Sequence, residues 1–140
     1  MKKLIYTSSA VTQVDEFPGV KGDKIDENTW GNVDKMDGYS KSKFYAEKEL
    51  WKFYEENKNK IEVTTILPGL IAGPVLGGDN LSTMKVFKEF VAETPGYLEE
   101  DSVITFTGLQ DLAGLHVKTL ESGKVNGRRL IPNIENISTR

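Results

Sequence analysis

The chain has 140 residues, 38% of them apolar with 13 glycines besides, which suits one ordinary globular domain with a real core. A net charge of −3 and a pI near 5.3 argue against a nucleic-acid surface, where a basic patch is usual. There is no cysteine and His116 is the only histidine, so disulfides, thiolate nucleophiles and cysteine- or histidine-cluster metal sites are not supplied, and no metal ligand is assigned.

In chain order, Met1-Lys2-Lys3 is a basic start, but the apolar run behind it stops at Thr7-Ser8-Ser9. That is too short for a signal peptide or a membrane span, so a cytoplasmic protein without membrane contact is the expectation. Leu4-Ile5-Tyr6-Thr7 is β-branched and aromatic enough for a short buried strand, which Ser8-Ser9-Ala10 ends. Residues 11 to 38 are polar and rich in glycine, and read as a long surface loop. A helix then begins at Asp37 or Gly38 and runs to about Lys58. Tyr39, Ala46, Leu50 and Tyr54 fall on one side of it, with Phe44 and Trp51 on a neighbouring strip.

Residues 61 to 67 form a second strand, stopped by Pro68-Gly69. Strand, long helix, strand is the pattern of a parallel crossover. Beyond Gly73-Pro74, a helix is expected from about Ser82 to Ala92, a strand over 103 to 106, and a helix from Leu109 to Glu121 with Gly123 as its C-cap. A last short strand covers Arg129-Leu130-Ile131. The class is α/β.

The chemistry lies at the start of the long helix. Tyr39 and Lys43 are four residues apart, one turn above each other on one face. An ammonium beside a phenol favours the phenolate, which lets a group of pKa about 10 exchange a proton nearer neutrality. The same spacing recurs at Tyr54 and Lys58, so spacing alone decides nothing. Position decides: ligands of open parallel sheets bind beyond the carboxyl ends of the strands. Tyr39 and Lys43 start the helix near Ser8-Ser9, whereas Tyr54 and Lys58 lie roughly 22 Å further along, where a packing residue and a solvated C-terminal charge are expected.

These residues resemble the Ser-Tyr-Lys constellation of the extended short-chain dehydrogenase/reductase family, in its NAD-dependent epimerase/dehydratase-like branch. The matching segments are 4 to 10, 39 to 43, 46 to 48, 66 to 74 and 111 to 117, in the family's order. Asp26-Glu27 with Trp30 ahead of Tyr39 is similar to the dihydroflavonol and cinnamoyl-CoA reductase group. The resemblance implies the C-terminal portion of a Rossmann-like doubly wound parallel sheet with part of a small substrate-binding region. It makes residues 1–140 a single partial domain, with 1–74 the catalytic side of the sheet and 75–140 part of the substrate region plus a returning strand and helix.

The resemblance also implies roles. Tyr39 exchanges a proton with the carbonyl or alcohol oxygen of a small substrate. Lys43 lowers the Tyr39 pKa and binds the nicotinamide ribose. Ser9, rather than Ser8, holds the substrate oxygen, and Pro68 and Leu70 lie against the nicotinamide of NADP or NAD, with NADP slightly favoured. His116 is expected to be a packed or partly exposed helix residue.

The departures are equally specific. No Gly-x-Gly-x-x-Gly or Gly-x-x-Gly-x-x-Gly occurs, so the phosphate-binding turn of the family has no counterpart here. Gly108 and Gln110 replace acidic and basic residues common ahead of the Asp111 match. The expectation is a fragment that binds cofactor poorly alone, with a separate chain supplying the glycine-rich half. The alternatives are a non-catalytic remnant that packs on a partner, and a sugar-nucleotide epimerase or dehydratase.

Overall fold

The computed structural model describes residues 2–15, 19–20, 24–74, 85–86, 88, 92, 102–132 and 135–138. In chain order its elements are β1 (Lys3–Thr7), β2 (Gly19–Val20), α1 (Gly38–Asn57), β3 (Glu62–Ile66), β4 (Leu70–Ala72), β5 (Ser102–Gly108), α2 (Leu109–Glu121), β6 (Arg128–Leu130) and β7 (Glu135–Ser138). Two further single 3-10 turns, Ala10–Gln13 and Val33–Lys35, lie between β1 and α1.

The first sheet has the order β1-β3-β6, and both pairings are parallel. The expected β1–α1–β3 crossover is therefore present. β3 is central, and Val63, Thr64, Thr65 and Ile66 are all buried, the pattern of a strand covered on both faces. The ladders continue past the carboxyl ends: Ser8 N donates to Ile66 O at 2.8 Å, Leu67 N to Leu130 O at 2.8 Å, and Ala10 N to Pro68 O at 2.9 Å. Thr7, Ser8 and Ala10 are thus locked onto the end of β3.

Pro68-Gly69 is where the chain leaves this sheet for a second one. There β5 pairs with β4 in parallel and with β2 and β7 antiparallel. The switch is tight. A Cβ on Gly69 would stand 2.1 Å from Thr105 O, so only glycine allows the approach. Gly69 N is satisfied by Thr107 Oγ1 at 3.0 Å.

α1 is capped by Asp37, whose carboxylate accepts from Ser40 N at 2.6 Å. Its buried residues are Ser40 and Glu47, while Tyr39, Ala46 and Tyr45 are exposed. This corrects the apolar stripe read from the sequence: the inward face is centred on polar residues that find partners in the sheet. α2 starts and ends where expected, but its cap is different. Ser122 is the C-cap, and Lys3 Nζ from β1 donates to Ser122 O at 2.5 Å, Leu120 O at 3.1 Å and Thr119 O at 3.4 Å. An ammonium at a helix C-terminus satisfies carbonyls and the dipole together. Gly123 is not needed for that role.

The expected loop of residues 11 to 38 is more built than a surface loop. Val11, Thr12, Gln13 and Met36 are buried. Gly31 N donates to Thr12 O at 3.0 Å and Gln13 Nε2 to Asp26 O at 2.7 Å. The segment satisfies its own buried backbone, which is what permits the burial. The helix expected over residues 82 to 92 falls mainly outside the described residues. Among the described residues, no helix is long and apolar enough to cross a membrane.

Candidate active site

Tyr39, Lys43 and Glu47 follow one another at intervals of four along α1. Each step of four residues rotates about 40° around the helix, and the three side chains wind from solvent into the core. Tyr39 is 59% exposed, Lys43 is half-buried, and Glu47 is wholly buried.

Glu47 is the hub. Its Oε2 accepts from Ser8 Oγ at 2.5 Å and has Thr12 Oγ1 at 3.2 Å. Its Oε1 accepts from Arg129 Nε at 2.8 Å, Thr65 Oγ1 at 3.0 Å and Trp51 Nε1 at 3.2 Å. Strand register explains the convergence. Tyr6 pairs with Thr65 and Thr65 with Arg129, so the three form one row across the sheet beneath α1. Burial pushes the Glu47 carboxyl up, but the hydrogen bond and charge of Arg129, with the bonds from Ser8 and Trp51, outweigh it and hold the pKa below the ordinary value. The Tyr6 phenol is pushed above its usual range by burial first, then by the Glu47 carboxylate and the Tyr39 phenol.

Arg129 also donates from Nη1 to Thr29 O at 2.6 Å and Glu27 O at 3.2 Å, and from Nη2 to Thr12 Oγ1 at 3.0 Å. Its guanidinium carbon lies 3.8 Å from the Trp30 ring centroid, and Lys48 Nζ lies 3.6 Å from the same centroid. Two cations cannot share one face at those distances, so Trp30 is held between them. Burial, then the Arg129 charge, lowers the Lys48 pKa. Glu27 meets Arg128 through paired contacts of 2.8 Å. The Asp26-Glu27 and Trp30 segment is thereby fastened to β6, on the flank of α1 away from Tyr39.

The two serines separate. Ser8 is buried against Glu47, whereas Ser9 is half-buried, and its Oγ accepts from Val11 N at 3.4 Å as the cap of the 3-10 turn. Ala10 N on Pro68 O ties that turn to the end of β3. Pro68 is buried and Leu70 half-buried at the start of β4. The structure therefore brings Ser9 and Pro68 to neighbouring strand ends, and α1 meets the Ser8 side of the same turn at Glu47, two helical turns beyond Tyr39. At the other end of α1, Tyr54 packs edge-on against Trp51 at 5.6 Å, and Lys58 pairs with Glu55 at 3.0 Å in solvent. His116 is a tie rather than a free imidazole. Its Nδ1 donates to Leu112 O at 2.8 Å, and Nε2 lies 2.9 Å from Thr7 Oγ1.

Sequence reasoning missed Glu47 and Arg129. No local signal marked them, because the inward facing of Glu47 depends on a partner 82 residues away.

No family model matches the chain. It is 32% identical over 143 aligned residues to anthocyanidin reductase of Arabidopsis thaliana, covering 91% of this chain and 41% of that protein. Over 86 residues it is 42% identical to dihydroflavonol 4-reductase of Medicago sativa, covering 54% of this chain and 36% of that protein. The solved structure of vestitone reductase from alfalfa superposes with a TM-score of 0.73 at 25% identity, over 99% of this chain and 45% of that one. The chain spans about two fifths of the length of the curated relatives it matches. The chain is thus similar in sequence to reductases of the extended short-chain dehydrogenase/reductase family and similar in fold to their Rossmann-like α/β structures.

Proposed function

We propose that the chain carries the catalytic side of an NAD(P)-dependent carbonyl reductase or alcohol dehydrogenase acting on a small organic substrate in the cytoplasm. The observation that carries this reading is the first turns of α1: an exposed Tyr39 phenol with Lys43 one turn below it, on a helix anchored to the Ser8-Ser9 turn through Glu47. The nicotinamide end of a cofactor suits this arrangement, because the Tyr39 phenol is exposed and the Lys43 ammonium lies one turn below it on the same helix; the cofactor, when bound, supplies or accepts the hydride. Tyr39 gives a proton to the carbonyl oxygen or takes it from the alcohol. Lys43 keeps positive charge near that phenol and reaches for the ribose hydroxyls. Ser9 holds the substrate oxygen, and Pro68 and Leu70 wall the nicotinamide. NADP is preferred slightly over NAD.

The phosphates are a different matter, since no glycine-rich phosphate turn occurs in the sequence. A separate chain supplying that half is part of the proposal. A second reading, a non-catalytic segment that packs on a partner, is favoured by the exposed Leu109, Val117 and Leu120 of α2.

The test is nicotinamide oxidation with a small aromatic aldehyde, run on the chain alone and on the chain co-expressed with a glycine-rich half from an extended reductase. Turnover that is absent alone, present in the pair, and reduced roughly 10²–10⁴-fold by Tyr39→Phe supports the reductase reading. Turnover retained by Tyr39→Phe excludes the mechanism. No turnover from a stably associated pair favours the packing segment.

A further inference from the structure

We infer that Glu47 is a positioning residue, which aligns the Ser8-Ser9 turn with Tyr39 and Lys43. The inference rests on the reductase reading for its catalytic consequence, though not for its geometry. Glu47 sits two helical turns from Tyr39 on the same rigid helix, and its carboxylate reaches four other parts of the fold. These are the end of β1 through Ser8, the 3-10 turn through Thr12, β3 through Thr65, and β6 through Arg129. One carboxylate with partners fixed in three strands sets both the rotation of α1 about its axis and its distance from the sheet.

Stability does not account for this arrangement. A buried ion pair generally contributes little more than apolar residues of the same volume, whereas it admits only one geometry. The feature that links the network to chemistry is the division of the serines. With Ser8 Oγ committed to Glu47 at 2.5 Å, and Ser9 extended at φ −159° and ψ 150°, the Ser9 side chain is turned off the Glu47 network and caps the 3-10 turn through Val11 N. Ala10 N then closes on Pro68 O, fixing the turn from its other side. Without the Glu47 charge, Ser8 has no strong acceptor, and both the turn and the helix face bearing Tyr39 lose their common reference.

The experiment uses the whole chain with Glu47→Gln, which keeps shape and removes charge, and Ser8→Ala, which removes a single bond to the carboxylate. The first readout is amide hydrogen exchange by NMR. Exchange at Ala10 is expected to rise in both variants by a larger factor than at Thr64 and Ile66 in β3. A purely stabilising role would instead speed all of these amides together. The second readout is aldehyde reduction by the chain paired with its glycine-rich half. Here kcat falls about 10- to 100-fold with KM within about twofold, as displacement of a catalytic group does.

Local exchange at Ala10 with an inactive wild type overturns the reductase reading and retains the positioning role. Wild-type exchange at Ala10 in Ser8→Ala, or a rise at Ala10 no larger than at Thr64 and Ile66, overturns the positioning role whatever the activity. If Glu47→Gln fails to fold, Ser8→Ala decides alone.

Discussion

Glu47 and Arg129 are 82 residues apart in the chain and meet through Nε and Oε1 at 2.8 Å, with side-chain exposures of 0% and 7%. Both side chains are buried, so each charge leans on the other and on the hydrogen bonds around it. Arg129→Met therefore leaves a buried carboxylate uncompensated and is expected to cost about 3–5 kcal/mol, read by urea unfolding. Adding Glu47→Gln to Arg129→Met should recover part of that loss, because the double variant buries no lone charge. A double variant as unstable as the sum of the singles would show that the two residues do not interact.

The same pair gives stability an acid limit. The folded Glu47 pKa lies below its ordinary 4.5, so its contribution is complete above the unfolded value and is lost as pH falls through the folded one. Thermal unfolding of the wild type should weaken below about pH 4.5. Glu47→Gln should be the less stable protein at neutral pH, and the gap between the two should narrow as the medium is acidified. A gap independent of pH would contradict the depressed pKa.

Tyr6 sets a limit on the alkaline side. Its folded pKa is raised above 10.0, so the unfolded chain loses this proton first and stability declines as pH rises past 10.0 toward the folded value. Tyr6→Phe removes that slope. Ultraviolet titration should show one tyrosine fewer ionising late in the variant. An unchanged late fraction would assign the raised phenol to another residue.

Two glycines should respond in opposite ways to alanine. At Gly69 the new Cβ would meet Thr105 O at 2.1 Å, backbone that cannot swing aside, and a loss of about 1–3 kcal/mol or more is expected. At Gly38, the first residue of α1, nothing stands within 4 Å of the added atom. There alanine should stabilise by about 0.4–1 kcal/mol through the unfolded state. Thermal melts of the two variants check both signs.

The tyrosine–lysine pairs at the two ends of α1 make the sharpest functional contrast. In the paired assay, Lys43→Met should slow turnover and weaken cofactor binding. Tyr54→Phe and Lys58→Met should leave turnover near wild type and shift stability by roughly 0.5 kcal/mol, since Lys58 is exposed and pairs with solvent-exposed Glu55. Equal effects at both ends would require a different orientation of α1.

What the sequence made legible was local. The run from Ile61 to Leu67 announces a buried strand by its β-branched residues, and the helix expected from Leu109 to Glu121 is α2. The facing of α1 was not legible, because Ser40 and Glu47 turn inward only when Arg129, from the far end of the chain, supplies the partner. Trp30 likewise reads as a loop aromatic until Arg129 and Lys48 close on its ring. β2, β4 and β7 span two, three and four residues, too short to carry a period of their own. They exist through pairing with β5, which is a tertiary fact. The choice of Ser9 over Ser8 came from family likeness, and the bond from Ser8 to Glu47 was not legible in the sequence.

The Lys3 ammonium at the end of α2 has a kinetic consequence. It bonds carbonyls 116, 117 and 119 residues downstream, and the parallel partner of β3 on its other side, β6, is also made late. β1 therefore cannot be clamped until segments 116 to 119 residues downstream of Lys3 have been made. Contacts of such separation fold slowly, because the loop entropy is lost before the bonds form. Until then Leu4 and Ile5 wait on an unfinished sheet, and in that interval a nascent chain is open to chaperones, to proteases and to pairing with another copy of itself.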